Sequence, residues 1–208
     1  MDGVLVDGEP LHFATVNQLL GEDGKSISLE AYKPYMGTKT GWSDMLRDYH
    51  LPREAAYYSA RYRELVLERY RREAQPLPGA VALVKAVRAA GVPLAVASSS
   101  ILPWVEACLE KIGLAGQFDQ VISGSDVAEG KPSPEIYLLA AQRLAVDPVR
   151  ALAIEDAPAG ILSAKAAGMA CWAVRTEYTR GLALPNPDRE FETLEHVSID
   201  DIVKAVAA

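Results

Sequence analysis

The sequence predicts an α/β fold, a doubly wound parallel sheet, accompanied by a small α-helical domain. From about residue 77 onward, short apolar runs alternate with helical patterns, which is typical of a parallel sheet covered by helices on both faces. Residues 12–76 differ, because the long stretch 53–73 carries a helical pattern and no strand signal. We therefore expect a core formed by residues 1–11 and 77–208, and a helical insertion formed by residues 12–76.

The first half of the predicted core alternates helix and strand twice. We expect a helix over 79–91 that ends at its last glycine, followed by a buried strand over 92–98. A second helix, with a proline in its first turn, spans 103–113, and a second strand covers 120–122. The residues of the second helix that are spaced to face the sheet are Val105, Cys108, Leu109 and Ile112.

The second half of the core continues this alternation. Ser133 and Pro134 are predicted to be the N-cap and the first-turn proline of a further helix. A strand over 151–154, a helix over 158–168 and a strand over 170–174 complete the pattern. Every predicted strand is thus joined to the next through a helix, as a parallel sheet requires.

Composition and charge exclude several classes of function. The 208-residue chain has a net charge of −7, which repels nucleic-acid phosphates and anionic membrane surfaces. No apolar run reaches the roughly 20 residues of a membrane span, and Cys108 and Cys171 are expected to be core thiols of a cytoplasmic protein. We expect no nucleic-acid partner and no membrane partner, and a chain that is a monomer or a weak dimer.

Four segments lie where strands are predicted to end, which is where a doubly wound sheet binds its ligands. The serines 98–100 present hydroxyl and N–H groups that suit phosphate, although serines after a strand also form turns and caps. Lys131 could neutralise a phosphoryl group, or it could be an exposed loop lysine. Glu155 and Asp156 suit Mg²⁺, but Asp156 is equally compatible with an N-cap. The remaining segment is the N-terminal DGVLVD.

In this order, DGVLVD, VASSS, GKPSPEIY and IEDAPAGI resemble the four motifs of the haloacid dehalogenase-like hydrolases. The resemblance is greatest to the small phosphatases and β-phosphoglucomutase-like enzymes, and the helical insertion stands where that family carries its α-helical cap. It implies a Rossmann-like core and a Mg²⁺-dependent hydrolase of phosphoric monoesters. The substrate would be a small phosphorylated metabolite, with sugar phosphates as the expected class, and the intermediate would be an aspartyl-phosphate. The alternatives are a phosphomutase and an inactive fragment that binds phosphate and Mg²⁺.

The resemblance also implies roles for individual residues. Asp2 matches the acid/base aspartate, whose main-chain carbonyl is also a metal ligand in the family, and Lys131 matches the lysine of the third motif. Glu155 and Asp156 match the metal-binding acids. The residues that match phosphate-binding or substrate-facing positions are Ser98, Ser99, His12, Thr38 and Lys39. His12 could equally be a hinge histidine, and Thr38 and Lys39 could equally belong to a turn between two helices.

One position of the family pattern lies outside the sequence. The nucleophile of the family is the first aspartate of Asp-x-Asp, two positions before the residue matched by Asp2. We expect this aspartate, and the apolar strand that carries it, to lie upstream of Met1, and the chain as given to be inactive. In the family that strand is the central one, between the strands predicted to end at Ser98 and Ile154, so its absence would leave two buried edges unpaired.

Overall fold

The structure of the chain, a computed structural model, describes residues 1–35, 41–181 and 183–207. The chain forms two compact units, a core unit of Met1–Asp7 with Ala74–Ala208 and a helical unit of Gly8–Glu73. The sequence placed these limits after residues 11 and 76. The first limit falls earlier in the structure because the helix that begins at Glu9, with a proline in its first turn, belongs to the helical unit.

The described residues of the helical unit form four α-helices. They are α1 (Glu9–Gly21), α2 (Leu29–Tyr32), α3 (Gly41–Tyr49) and α4 (Ala55–Glu73), and a 3₁₀ turn over Lys33–Tyr35 follows α2. α1 packs along α4, and the apolar faces of the helices enclose a core of their own. Its buried residues are Val16, Leu19, Leu20, Ile27, Tyr32, Met45, Leu51, Tyr58 and Leu65.

The first half of the core unit has the predicted alternation. Its elements are α5 (Ala80–Ala89), β1 (Ala95–Ala97), α6 (Leu102–Lys111), β2 (Gln120–Ile122) and α7 (Glu135–Leu144), and β1 pairs with β2 in parallel. The four residues predicted to face the sheet are all buried: three of them lie on α6, and Ile112 is its C-cap. The buried face of α6 is therefore the one that its apolar spacing predicts.

Two predictions in this half were wrong in detail. β1 has three residues instead of the predicted seven, because the N–H of Val92 still bonds to Val87 at the end of α5 and Pro93 has no N–H to donate. The N-cap of α7 is Pro134 and not Ser133. The Oγ of Ser133 still accepts a hydrogen bond from the N–H of Glu135, at 3.4 Å.

The second half of the core unit adds a second parallel sheet. Its elements are β3 (Leu152–Glu155), α8 (Pro158–Ala166), β4 (Ala170–Val174), β5 (Arg189–Phe191) and α9 (Ile199–Ala207). The strand order is β3-β4-β5, and all pairs are parallel. The sequence analysis did not predict β5 or α9.

In the part of the chain that the structure describes, the two sheets share no strand pair. Within the described ranges, β1 pairs with β2 alone and β3 pairs with β4 alone, so β1 and β3 each have one edge without a strand partner. α7 contacts both β1 and β2, and α8 contacts β3 and β4. A shared apolar cluster, which includes Ile122, Ile136, Ala153, Ile161 and Cys171, lies under these helices. This arrangement brings the carboxyl ends of β1 and β3 to the same polar site.

Candidate active site

Three segments of the core unit meet at the carboxyl ends of β1 and β3. β1 ends at Ala97 and leads into the serines 98–100, and β3 ends at Glu155, which Asp156 follows. Lys131, on the loop between β2 and α7, connects them. Its Nζ donates to the backbone oxygen of Ala97 at 3.2 Å and to Oε1 of Glu155 at 2.5 Å. The motif residues that are distant in sequence therefore lie together in one unit.

Lys131 and Glu155 form a buried ion pair, with 12% and 7% of their side-chain surfaces exposed. Burial opposes the charged form of Glu155, but the charge and hydrogen bond of Lys131, together with the charge of the N-terminal amine and the hydrogen bond from Tyr137, outweigh it. The pKa of this carboxyl therefore lies below its usual value of 4.5. Because the pKa of Glu155 is lower in the folded than in the unfolded chain, its charged form stabilises the fold at pH values above the pKa of the unfolded chain. This contribution is lost as the pH falls through the pKa of the folded chain. The interpretation of Lys131 as an exposed loop lysine is wrong.

Tyr137 on α7 completes the environment of this pair. Its hydroxyl donates a hydrogen bond to the same oxygen of Glu155, and Nζ of Lys131 lies 4.9 Å from the centre of its ring. Burial and the nearby carboxylate raise the pKa of Tyr137 well above its usual value, so its phenol remains a donor. Tyr137 is not among the site residues predicted from the sequence. It could have been found as a tyrosine on a helix predicted to pack against the sheet, because a buried phenol hydroxyl needs a hydrogen-bond partner.

We expect Tyr137→Phe to lower the free energy of unfolding by about 1.5–3 kcal/mol, the usual value of a hydrogen bond to a charged group. The substitution keeps the ring and removes only the donor to Glu155. Urea unfolding at pH 7.5 measures the effect. Tyr57→Phe is the control, because the Tyr57 hydroxyl bonds at 3.2 Å to the exposed Glu22, and its loss should cost less than about 0.5 kcal/mol. Equal losses in both variants would contradict the role of Tyr137.

Asp156 packs against a glycine of the first motif. A Cβ added to Gly3 would lie 2.0 Å from Oδ2 of Asp156, and Gly3 has φ +70°, so a larger residue would be strained as well as displaced. Burial, and then repulsion from Glu155, raises the pKa of Asp156 to about 7. The N-cap of α8 is Ala157, so the interpretation of Asp156 as a helix cap is wrong.

The serines after β1 have separate local roles. Ser98 is 2% exposed, its N–H donates to Ile122, and its Oγ accepts from the N–H of Ser100 at 3.2 Å. The hydroxyl of Ser100 donates to Oδ2 of Asp2 at 3.1 Å. A Cβ added to Gly124 would lie 2.2 Å from the backbone oxygen of Ser99, so this turn packs closely against the next strand end. Ser100, predicted from the sequence only as one of three serines that suit phosphate, is a hydrogen-bond donor to the predicted acid/base residue.

Comparison with known proteins gives the family of this chain. A family model described as haloacid dehalogenase-like hydrolase matches residues 1–168. The chain belongs to this family. Protein YhcW of Bacillus subtilis is 31% identical over 204 residues, 95% of this chain and 91% of YhcW. The fructose-1-phosphate phosphatase YqaB of Escherichia coli is 33% identical over 181 residues, 81% of this chain and 90% of YqaB.

Solved structures agree with this assignment to the haloacid dehalogenase-like hydrolases. A CbbY mutant from Rhodobacter sphaeroides, crystallised with xylulose-(1,5)bisphosphate, has a TM-score of 0.85 and 30% identity, covering 95% of this chain and 93% of CbbY. β-Phosphoglucomutase structures share the fold as well. The predicted family and its β-phosphoglucomutase-like subgroup are therefore confirmed, and so is the predicted α/β core with helical elements.

Three of the residues predicted for this hydrolase belong to the helical segment. His12 lies on α1, where Nδ1 is 2.7 Å from the hydroxyl of Tyr62 and Nε2 is 2.9 Å from that of Tyr70. Both ring nitrogens are thus hydrogen-bonded within the helical unit, and a contact of His12 with substrate stays a prediction. Thr38 and Lys39 lie outside the described residues.

Two further sequence expectations concern the chain as a whole. Cys108 and Cys171 are buried and form no disulfide, as predicted, and burial raises the pKa of each thiol to about 12. Among the described parts of the chain, no helix combines the length and the apolar character needed to cross a membrane.

Proposed function

We propose that this haloacid dehalogenase-like hydrolase is a Mg²⁺-dependent phosphatase of small phosphorylated metabolites, with sugar phosphates as the preferred class. The observation that carries the proposal is the buried ion pair of Lys131 and Glu155 between the ends of β1 and β3. The substrate named for YqaB and the sugar bisphosphate in the CbbY structure support the substrate class. The buried, unpaired cysteines are in keeping with a cytoplasmic protein.

The proposed chemistry divides hydrolysis into two transfers of the phosphoryl group. A carboxylate attacks phosphorus and the leaving oxygen departs; water then attacks the aspartyl-phosphate and releases inorganic phosphate. Asp2 protonates the leaving oxygen in the first step and takes a proton from water in the second. The nucleophile is proposed to be an aspartate two positions before Asp2, beyond the sequence given. Lys131 offsets negative charge, and the hydroxyl of Ser98, which can still donate its hydrogen, is proposed to bind a phosphate oxygen.

The donor set of the site fits Mg²⁺. Asp156 presents a carboxylate that packs against Gly3, and carboxylate and carbonyl oxygens are the ligands that Mg²⁺ prefers. Asp156 and the carbonyl of Asp2 would hold the ion, with Glu155 beside them. Within the described ranges, no three His, Cys, Asp or Glu side chains form a metal cluster. This is consistent with Glu155, which is turned toward Lys131. Mg²⁺ would supply positive charge for the phosphoryl group.

We expect Mg²⁺ to raise the melting temperature more at pH 8 than at pH 6. The pKa of Asp156, raised to about 7, keeps this carboxyl largely protonated at pH 6, and protons then compete with the cation. Above pH 7 the folded state carries the charged, poorly solvated carboxylate, and bound Mg²⁺ relieves that cost. Calorimetric scans with and without Mg²⁺ measure the difference. Asp156→Asn should lose the response at both pH values; a response that survives in this variant would place the ion elsewhere.

The proposed activity is tested by comparing two forms of the protein. One is the 208-residue chain, and the other carries a short apolar segment that ends in an aspartate directly before Met1. With Mg²⁺ and a panel of ketose, aldose and nucleoside phosphates, the extended form should release inorganic phosphate at least roughly 10³-fold faster, because it has the nucleophile. Asp2→Ala in the extended form should lower this rate by roughly 10²-fold or more.

The alternatives give different results in the same assay. A phosphomutase would interconvert sugar phosphates with little release of inorganic phosphate. An inactive binding protein would take up Mg²⁺ and phosphate, as measured by calorimetry, without turnover in either form. Full activity of the extended Asp2→Ala protein would contradict the acid/base role of Asp2.

A further inference from the structure

The hydroxyl of Ser100 links the turn after β1 to the side chain of Asp2, 98 positions earlier in the chain. Its Oγ donates a hydrogen bond to Oδ2 of Asp2 at 3.1 Å, and both residues are partly buried. Asp2 transfers protons in the proposed reaction, whereas no step of that reaction has so far involved Ser100. The contact therefore joins a side chain without a proposed role to the acid/base residue itself.

The backbone of Ser100 is anchored on both sides. Its N–H donates to Oγ of Ser98 at 3.2 Å, and its carbonyl oxygen accepts from the N–H of Gly124 at 2.9 Å. The second bond accompanies the close approach of Gly124, where an added Cβ would lie 2.2 Å from the backbone oxygen of Ser99. Ser100 also lies directly before Ile101, the N-cap of α6. The hydroxyl therefore extends from a point that the ends of β1 and β2 and the start of α6 hold in place.

The backbone at Asp2 is held by a turn of its own, in which the N–H of Gly3 donates to the carbonyl oxygen of Val6 at 2.8 Å. This bond helps to place the Cα of Asp2, but the two torsions of its side chain are set by the contacts of the carboxylate. The hydrogen bond from Ser100 is one such contact, and its donor is anchored. It restricts the direction of the group that has to reach the leaving oxygen, and proton transfer depends steeply on that direction.

We propose that Ser100 is a positioning residue that holds the carboxyl group of Asp2 for proton transfer, an inference that rests on the proposed function. In the first step, the carboxylate of the nucleophile bonds to phosphorus, the bond from phosphorus to the leaving oxygen breaks, and the proton of Asp2 goes to that oxygen. In the second step, the oxygen of water bonds to phosphorus, the bond to the nucleophile breaks, and Asp2 takes a proton from the water. Because a carboxyl group can accept a hydrogen bond in its charged and its neutral form, Ser100 can hold Oδ2 in both steps while Oδ1 carries the proton.

The test uses the extended form of the chain with Mg²⁺ and the sugar phosphate that this form hydrolyses fastest. Ser100→Ala should lower kcat roughly 5- to 10-fold, in keeping with the usual net value of one hydrogen bond. KM should change less than about twofold, because Ser100 acts on Asp2 and not on the substrate. Ser100→Thr keeps the hydroxyl and should recover most of the rate. The matched control is Ser125→Ala, which removes an exposed hydroxyl from the loop after β2 and should leave kcat within about twofold.

Two further measurements separate an action through Asp2 from a general structural effect. In an Asp2→Ala background, Ser100→Ala should lower the rate by less than about twofold, since the group that it positions is absent. The second measurement uses p-nitrophenyl phosphate, whose leaving oxygen departs without a proton. Its first turnover, measured as the burst of nitrophenolate, should slow by less than about threefold in Ser100→Ala, while the sugar phosphate loses the full factor. A structural defect would slow both substrates equally and would act in the Asp2→Ala background as well.

The outcomes distinguish a failure of this proposal from a failure of the proposed function. If the extended form hydrolyses sugar phosphates and Ser100→Ala is equally fast, or loses the same factor with and without the Asp2 carboxylate, the positioning role is overturned and the function stands. A raised KM with unchanged kcat would instead make Ser100 a substrate ligand, which also overturns the proposal. If the extended form releases no phosphate, the proposed function fails and the positioning role fails with it. If Ser100→Ala does not fold, the isosteric pair Ser100→Thr and Ser100→Val gives the same comparison.

Discussion

Lys131→Met should lower the free energy of unfolding at pH 7.5 by about 3–5 kcal/mol, the usual cost of removing one partner of a buried ion pair. Methionine keeps the length of the side chain and removes its charge. The loss arises because Glu155, 7% exposed, would remain in the core with Tyr137 as its only partner in the described site. Such a loss is a large part of the usual stability of a domain, so urea unfolding is best measured at low temperature.

The effect of Lys131→Met should depend on pH with a definite sign. In the natural chain, Lys131 lowers the pKa of Glu155 below 4.5, so the pair stabilises the fold above pH 4.5 and loses this contribution as the pH falls. Without the ammonium, burial dominates and raises the pKa of Glu155, so the variant gains stability on acidification. The difference between the two proteins should therefore shrink from pH 7.5 to pH 5.

Two further variants make this prediction falsifiable. Lys165→Met removes an exposed pair with Asp188, whose side chains are 33% and 43% exposed, and should cost no more than about 1 kcal/mol. The double variant Lys131→Met, Glu155→Gln should recover much of the loss, because no unpaired charge is left in the core. A loss equal to that of Lys165→Met, or one that does not change with pH, would show that the buried pair is not an important contributor.

The order of strands and helices in the core unit could be predicted because glycine and proline separate its apolar runs. β2 and β4 have the predicted bounds, and Pro158 begins α8 as expected. This use of glycine and proline as limits failed where a proline falls inside an apolar segment. Pro93 stands within the predicted 92–98 strand, and its missing N–H keeps the preceding residues out of the ladder. The proline signal was thus present but was given too little weight.

The chemistry of the site could be predicted less completely than its location. The segments after β1 and β3 were found because parallel strands bring their carboxyl ends to one side. The partners could not be found this way. Tyr137 meets Glu155 from a helix, and Ser100 meets Asp2 across 98 positions of sequence. Such pairs depend on how the helices and strands pack, which the periodicity of a single element does not encode.

β5 and α9 went unpredicted for a related reason. β5 has only three residues, Arg189–Phe191, and two of them are charged, so it carries no apolar run. It forms because β4 offers a free edge, and because the guanidinium of Arg189 lies 4.9 Å from the ring centre of Trp172 on β4. An edge strand stabilised by its neighbour leaves little trace in its own sequence.

Gly160→Ala should lower the free energy of unfolding by about 1–3 kcal/mol, the usual cost of overpacking, and by more if the ion pair is broken. A Cβ at this position of α8 would lie 2.1 Å from Oε2 of Glu155 and 2.2 Å from its carboxyl carbon. The carboxylate cannot turn aside cheaply, because Lys131 and Tyr137 hold its other oxygen. In an open helical position the same substitution would stabilise a helix by up to about 1 kcal/mol, so the sign itself is informative.

The control for Gly160→Ala is Gly21→Ala, at the last residue of α1, where an added Cβ would meet no atom within 4 Å. It should leave the free energy of unfolding unchanged or raise it slightly. A second control removes the obstacle: in a Glu155→Ala background, Gly160→Ala should cost nothing further, because its Cβ occupies the space that the carboxylate has left. If Gly160→Ala is equally harmful with and without the Glu155 side chain, the glycine serves the helix itself and not the site.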